Sequence, residues 1–112
     1  MPRKKYVPER GDIVFTNFDP SAGHEQAMKR PALVLSPGVF NAKVGLTLVA
    51  PITSRVRGHG FEVAVNGKDT TGVILCQQIK MIDFAARGVK FIEKAQPDVL
   101  AEALAKVRVL VQ

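Results

Sequence analysis

Six short β-rich runs, each closed by turn-forming residues, fill this chain as far as residue 82, and helical spacing of apolar residues is sustained only from Pro97 onward. The runs are Ile13–Phe18, Ala32–Ser36, Leu46–Ile52, Phe61–Val65, Val73–Cys76 and Ile79–Ile82. Strands of this length, punctuated by clusters such as Asp19-Pro20-Ser21-Ala22-Gly23 and Asn66-Gly67, point to a small barrel. Pro31 cannot donate to a ladder, so it is expected at the start or edge of the second strand, and Pro51 is expected to interrupt the third. Residues 37–45, with Pro37, Gly38 and Gly45, leave room for one helical turn, and residues 53–60 read as a glycine-rich basic loop. At the end of the chain Val99, Leu100, Ala103, Leu104, Val107 and Val111 recur at helical spacing. Pro97 suits a first helical turn, Asp98 and Glu102 lie early, Lys106 and Arg108 lie late, and Glu102 and Lys106 form an i,i+4 pair. The expected fold is mainly β (α+β), a small barrel closed by a C-terminal helix.

The 112 residues allow one domain, residues 1–112, with residues 1–10 expected as a mobile basic arm. A chain of this size buries about 65% of its unfolded surface, so it needs neither disulfide nor metal to hold a core. Its one cysteine, Cys76, excludes an internal disulfide and a cysteine-rich zinc site, and its apolar surroundings predict a buried thiol. No apolar stretch approaches the ~20 residues of a spanning helix, and the basic start is not followed by the apolar segment of a secretory signal. A cytoplasmic protein without membrane association is expected. The net charge is +6, and residues 26–61 carry five cations and no acid. A concentrated positive field of this kind attracts polyanions. The aromatic content of 6%, without Trp, argues against a surface of many base-stacking platforms.

The motifs exclude several chemistries. His24 and His59 lie in different loops with no companion ligands, and the glycine-rich phosphate loops and the nucleophile-elbow motif are absent. No metal site and no cofactor are expected. Two segments concentrate reactive side chains. Gly23-His24-Glu25-Gln26-Ala27-Met28-Lys29-Arg30 gathers an imidazole, a carboxylate and two cations, and Thr53-Ser54-Arg55 places two hydroxyls beside a cation. These groups suit attack by an RNA 2′-OH on its own phosphate, which needs a base, an acid and donors to the developing charge. An Arg fork fits phosphate oxygens, and a Thr hydroxyl donates to another.

Gly11-Asp12-Ile13-Val14, Phe18-Asp19-Pro20, Gly23-His24-Glu25-Gln26, Arg30-Pro31-Ala32-Leu33-Val34-Leu35-Ser36, Phe40-Asn41 and Pro51-Ile52-Thr53-Ser54 together resemble the MazF/PemK (Kid, ChpB) toxin family. Gly60-Phe61-Glu62-Val63, Thr71-Gly72-Val73, Gln78-Ile79-Lys80 and Asp83-Phe84-Ala85-Ala86-Arg87 continue the pattern in order, over about residues 6–111. The resemblance implies an SH3-like barrel working as a homodimer. It implies the toxin of a type II toxin–antitoxin pair, a metal-independent, sequence-specific endoribonuclease that cuts single-stranded mRNA to 2′,3′-cyclic phosphate and 5′-OH ends. Its partner would be a MazE-like antitoxin whose C-terminal tail occupies the RNA site. Carried over residue by residue, Arg30 stabilises the phosphate, Thr53 holds a phosphate oxygen, Glu25 is the candidate base and His24 shares acid–base work. Lys29, Arg55, Arg57, Gln78, Lys80 and Arg87 are the expected RNA contacts.

The chain departs from the family pattern where many members carry Asp and the Kid branch adds Arg two residues earlier; here stand Gln77 and Leu75. Gln77 cannot move a proton, so the resemblance favours a mechanism built on Arg and Thr. Two rival readings stay open: a CcdB-like gyrase poison, and a noncatalytic RNA-binding barrel.

Overall fold

Ile13 and Val14 are neighbours in sequence and both fully buried, so the strand that carries them is covered on two faces. The same holds for Ala32-Leu33-Val34 and Val49-Ala50. This double cover explains why these segments read as unbroken apolar runs. The computed structural model describes residues 5–18, 29–56, 58 and 60–112. Its strands are β1 (Asp12–Asn17), β2 (Lys29–Val34), β3 (Thr47–Thr53), β4 (Glu62–Asn66), β5 (Thr71–Leu75), β6 (Lys80–Ile82) and β7 (Lys90–Lys94). Its helices are α1 (Gly38–Val44), α2 (Phe84–Arg87) and α3 (Pro97–Val109), and Cys76–Gln78 form a single 3-10 turn.

The strands form one curled antiparallel sheet in the order β4-β5-β3-β2-β1-β7, with β6 also pairing β3. This is a half-barrel whose inner face holds the larger core, with Ile13, Leu33, Ala50, Ile52 and Ile74 packed against Ala103 and Val107 of α3. The outer face holds a smaller cluster of Val14, Ala32, Val34, Val49 and Ile82, partly covered by Phe18 and Val89. No helix among the described residues is long and apolar enough to cross a membrane.

The sheet departs from the sequence expectations in where β2 begins and at Pro51. β2 begins at Lys29 rather than Ala32, and Pro31 is its third residue, opposite Phe15 of β1. Only Ala32–Val34 of β2 pair with β3, so Pro31 lies in a segment laddered on one side, where a missing N–H is tolerated. β3 runs unbroken through Pro51 to Thr53. On the side away from β2, Thr47–Val49 pair with β6, and Ile52 and Thr53 pair with β5. Pro51 falls in the gap between these ladders, and the three-residue turn Cys76–Gln78 supplies the register slip that separates them. Asn66-Gly67 opens a four-residue turn closed by the Gly67 N–H to Thr70 carbonyl bond of 2.7 Å. The expected helical turn within 37–45 is a full seven-residue helix, α1. α3 matches the expected helix in starting at Pro97, carries the Lys106–Glu102 ion pair at 3.0 Å, and ends before Val111.

The basic arm is expected to be mobile over residues 1–10; residues 1–4 lie outside the described residues, and Tyr6, Pro8, Glu9 and Arg10 are tied by hydrogen bonds to Asp12, Asn41, Gly38 and Leu35. Tyr6 Oη–H donates to buried Asp12 Oδ2 at 2.5 Å, and Lys94 Nζ donates to Asp12 Oδ1 at 2.8 Å. The Glu9 carboxylate accepts the Gly38 N–H at 2.6 Å. Asn41, wholly buried, donates to the Pro8 and Ser36 carbonyls and accepts from Ser36 Oγ, which fixes α1 against the arm. Cys76 is buried, as expected, and burial pushes its thiol up to about 11, which leaves it unreactive near neutrality.

β7 and β4 end the sheet, and Glu93 of β7 spans the distance between them. Its carboxylate accepts the N–H groups of Lys68 and Asp69, both at 3.0 Å, in the β4–β5 turn. Desolvation raises the Glu93 pKa, but the turn's N–H groups outweigh it, helped by the Thr70 hydroxyl, which is close though outside hydrogen-bond geometry. The net shift is downward, as it is for Glu9, where the Gly38 and Arg10 N–H groups dominate. A carboxylate held lower in the folded state stabilises the fold above the usual carboxylate range and loses that contribution as pH falls. Glu93→Gln is therefore expected to flatten the acid limb of the stability curve. An acid limb unchanged in urea titrations across that range would overturn the assignment.

Candidate active site

Side chains alternate across strands, so residues an even number apart share a face. Ala32 of β2 lies opposite Pro51 of β3. Two residues beyond each, on the same outer face, stand Arg30 and Thr53. Here the β2–β3 ladder has ended: Arg30 is held by β1 opposite Thr16, and Thr53 by β5 opposite Val73. The two strands part, and the cleft between them is a cavity of about 320 Å³ lined by Lys29, Arg30, Pro31, Ile52, Thr53, Ser54 and Thr71.

The lining is made for an anion. It combines two cations, three hydroxyls and, among the described residues, no carboxylate. Thr53 Oγ1 accepts the Arg55 N–H at 3.2 Å, so one lone pair turns the chain and the hydroxyl proton stays available. Gly72 brings the β5 backbone against this residue. Its φ is +150°, and a Cβ there would meet the Thr53 carbonyl oxygen at 2.4 Å. Thr71 and Gly72 were not among the expected site residues. A glycine inside a β-run is the signal for such a close approach.

The other expected residues divide into three groups. His24, Glu25 and Arg57 lie outside the described residues, as does His59. Lys80 Nζ and Arg87 Nη1 reach the Phe18 carbonyl at 3.0 and 3.4 Å, and Arg87 also reaches the Asn17 carbonyl at 3.1 Å, so both tie down the end of β1. Arg55 is exposed two residues after Thr53, and Gln78 is exposed on the 3-10 turn without lining the cavity. Leu75 is buried and Gln77 is exposed. A larger cavity of about 420 Å³ lies elsewhere, walled by apolar residues including Phe40, Leu48, Met81 and Leu104 with Arg10 and Arg108 at its rim. It gathers no acid–base pair and is a surface for packing rather than chemistry.

Residues 9–111 match the model of the PemK-like, MazF-like toxins of type II toxin–antitoxin systems. The chain belongs to the PemK/MazF toxin family. It is 42% identical to the endoribonuclease toxin MazF of Escherichia coli K12 over 96% of each chain. It is 46% identical to the endoribonuclease toxin ChpB of the same strain, over 97% of this chain and 98% of the relative. Among solved structures, MazF of Deinococcus radiodurans superposes with a TM-score of 0.86 at 42% identity, covering 96% of this chain and 98% of that one. A MazE–MazF complex from the same organism gives 0.83 at 36% identity, covering 96% and 97%. The half-barrel with its C-terminal helix is thus the fold of MazF, and the PemK/MazF match spans both strands that line the anion cavity.

Proposed function

We propose that this chain is the toxin of a type II pair and an endoribonuclease that cuts single-stranded mRNA in the cytoplasm without a metal ion. The observation that carries the reading is the shared cavity of Arg30 and Thr53, with its two cations, three hydroxyls and no lining carboxylate among the described residues. In the proposed reaction a base removes the 2′-OH proton, the O2′–P bond forms, and the P–O5′ bond breaks as the 5′-oxygen takes a proton. The products are a 2′,3′-cyclic phosphate and a 5′-OH. The Arg30 guanidinium binds the phosphate oxygens and gains strength as their charge grows. Thr53 Oγ–H donates to one of the two non-bridging phosphate oxygens, and Lys29 adds to the field. An Arg with a pKa above about 12 is a poor proton donor. The proton transfers therefore fall to Glu25 and His24, roles that rest on the family resemblance. Arg55, Arg57, Gln78, Lys80 and Arg87 extend the contact to the flanking RNA.

The test is incubation of the protein with a long, mixed-sequence RNA in excess EDTA, with fragment ends read by mass spectrometry. Discrete cuts ending in 2′,3′-cyclic phosphate are the expected result. RNA left intact where binding is verified would overturn catalysis in favour of a noncatalytic RNA-binding barrel.

Two partners belong to the same reading. The antitoxin, MazE-like, would place the acidic C-terminal tail in the cavity in competition with RNA, supported by the cavity's positive lining and by the MazE complexes of relatives. The second is another copy of the chain. The 420 Å³ apolar cavity adjoins α1 and α3; Val39, Val44 and Val109 on these helices and Leu110 directly after α3 are exposed, a surface that a partner subunit would cover. Sedimentation at micromolar concentration should give the dimer mass; the monomer mass would remove this part of the reading.

A further inference from the structure

A second cavity lies on the outer face of the sheet, the face that carries Arg30 and Thr53. It measures about 300 Å³ and is lined by Lys5 and Tyr6 of the N-terminal arm, by Phe84 and Ala85 of α2, and by Gly88 and Val89. Tyr6 packs edge-to-face on Phe91, with ring centroids 6.1 Å apart. Phe91 stands opposite Val14, and Val14 opposite Ala32, so all three belong to the outer face. Arg30 is two residues along from Ala32. Two strand spacings and a two-residue offset put Phe91 roughly 12 Å from Arg30.

We propose that this cavity receives one unpaired base of the RNA strand whose phosphate occupies the Arg30–Thr53 cleft, an assignment that rests on the ribonuclease reading above. The chain has six Phe, one Tyr and no Trp. Four of these rings, Tyr6, Phe18, Phe84 and Phe91, gather on this face. Of these, Tyr6 and Phe84 line the cavity and Phe91 packs on Tyr6, and Tyr6 and Phe91 remain 36% and 48% exposed. The charge fits the same occupant. Lys5 stands at the mouth, and Lys80 and Arg87 converge on the Phe18 carbonyl on this face. The acid beneath Tyr6, Asp12, is buried and already answered by the phenol and by Lys94. The Tyr6 hydroxyl is committed to Asp12, which locks the ring as a wall.

Tyr6 is the sole tyrosine of a chain without tryptophan, so intrinsic emission reports this site alone. The probe is a mixed-sequence oligoribonucleotide with 2′-O-methyl sugars, which cannot be cut, beside the same backbone made abasic. Base-bearing RNA should quench Tyr6 saturably, and the abasic backbone should quench it far less. Phe91→Leu should weaken binding of the base-bearing oligomer about tenfold while moving the abasic affinity less than about twofold. Unchanged Tyr6 emission at saturating RNA, or equal quenching by the abasic backbone, would overturn the proposal. So would emission that responds to an acidic peptide and not to RNA, which would hand the cavity to a protein partner. Cleavage of unmodified RNA, scored in parallel, separates the two readings. Cutting with a silent Tyr6 removes the base site alone, and a quenched Tyr6 without cutting removes the ribonuclease and keeps the site.

Discussion

Arg30→Ala should lower single-turnover RNA cleavage by a factor of about 10²–10³, the loss seen when one preorganised donor to a transition-state oxyanion is removed. The fold should survive. Arg30 is half-buried at the start of β2, its backbone stays in the β1 ladder opposite Thr16, and its side chain is in neither core cluster. Circular dichroism and the unfolding midpoint should therefore remain near those of the parent chain. Arg30→Lys should recover only part of the rate, because an ammonium keeps the charge and loses the planar fork. A folded Arg30→Ala protein that still cuts RNA at the parent rate would remove Arg30 from the chemistry.

Gly72→Ala should damage stability and activity together. The added Cβ would lie 2.4 Å from the Thr53 carbonyl oxygen and 3.0 Å from its carbon, and both are backbone atoms that cannot swing away. The positive φ adds strain. The expected cost is about 2–4 kcal/mol, within the range for a strained backbone position. Cleavage should also fall, by as much as about 100-fold even where the protein remains folded, because Thr53 is displaced from the cleft. Val63→Ala is the matched control, since Val63 lies in the inner core on β4 and its truncation loosens packing without pushing on Thr53. Equal activity in the two variants at equal folded fraction would show that Gly72 serves the fold alone.

The central strands were legible in the sequence because they are covered on both faces, which writes them as apolar runs such as Ala32-Leu33-Val34, and β4 was legible from its alternation, with Val63 and Val65 buried and Ala64 exposed. α3 was legible because its apolar stripe and Pro97 are local signals. β7 was not: Lys90-Phe91-Ile92-Glu93-Lys94 is a mostly exposed edge strand with a lysine at each end, a pattern that keeps edges soluble and hides them from periodicity. α2 is a four-residue helix capped by Asp83, too short to show a period. Pro51 misled for a physical reason, and Pro31 did not, since it stands where β2 is laddered on one side only. A residue without an N–H is excluded only where a ladder needs that donor, and ladder ends are tertiary facts. In the site, Arg30 and Thr53 could be singled out from their residue types and motif order. That Lys80 and Arg87, expected as RNA contacts, also hold carbonyls at the end of β1 sixty or more positions away is a tertiary fact no local pattern shows.

Arg30 and Thr53 are fastened to different ladders, one to β1 and the other to β5, with the β2–β3 pairing already finished between them. The 3-10 slip at Cys76–Gln78 separates the β4–β5 hairpin from β6, so fraying of that hairpin can stop short of the central sheet. The cleft's two walls are thus anchored to different neighbours, and on the proposed reading its geometry depends on the β1–β2 and the β3–β5 ladders alike, so damage to either strand pair reaches the site even when the residues lining it are untouched.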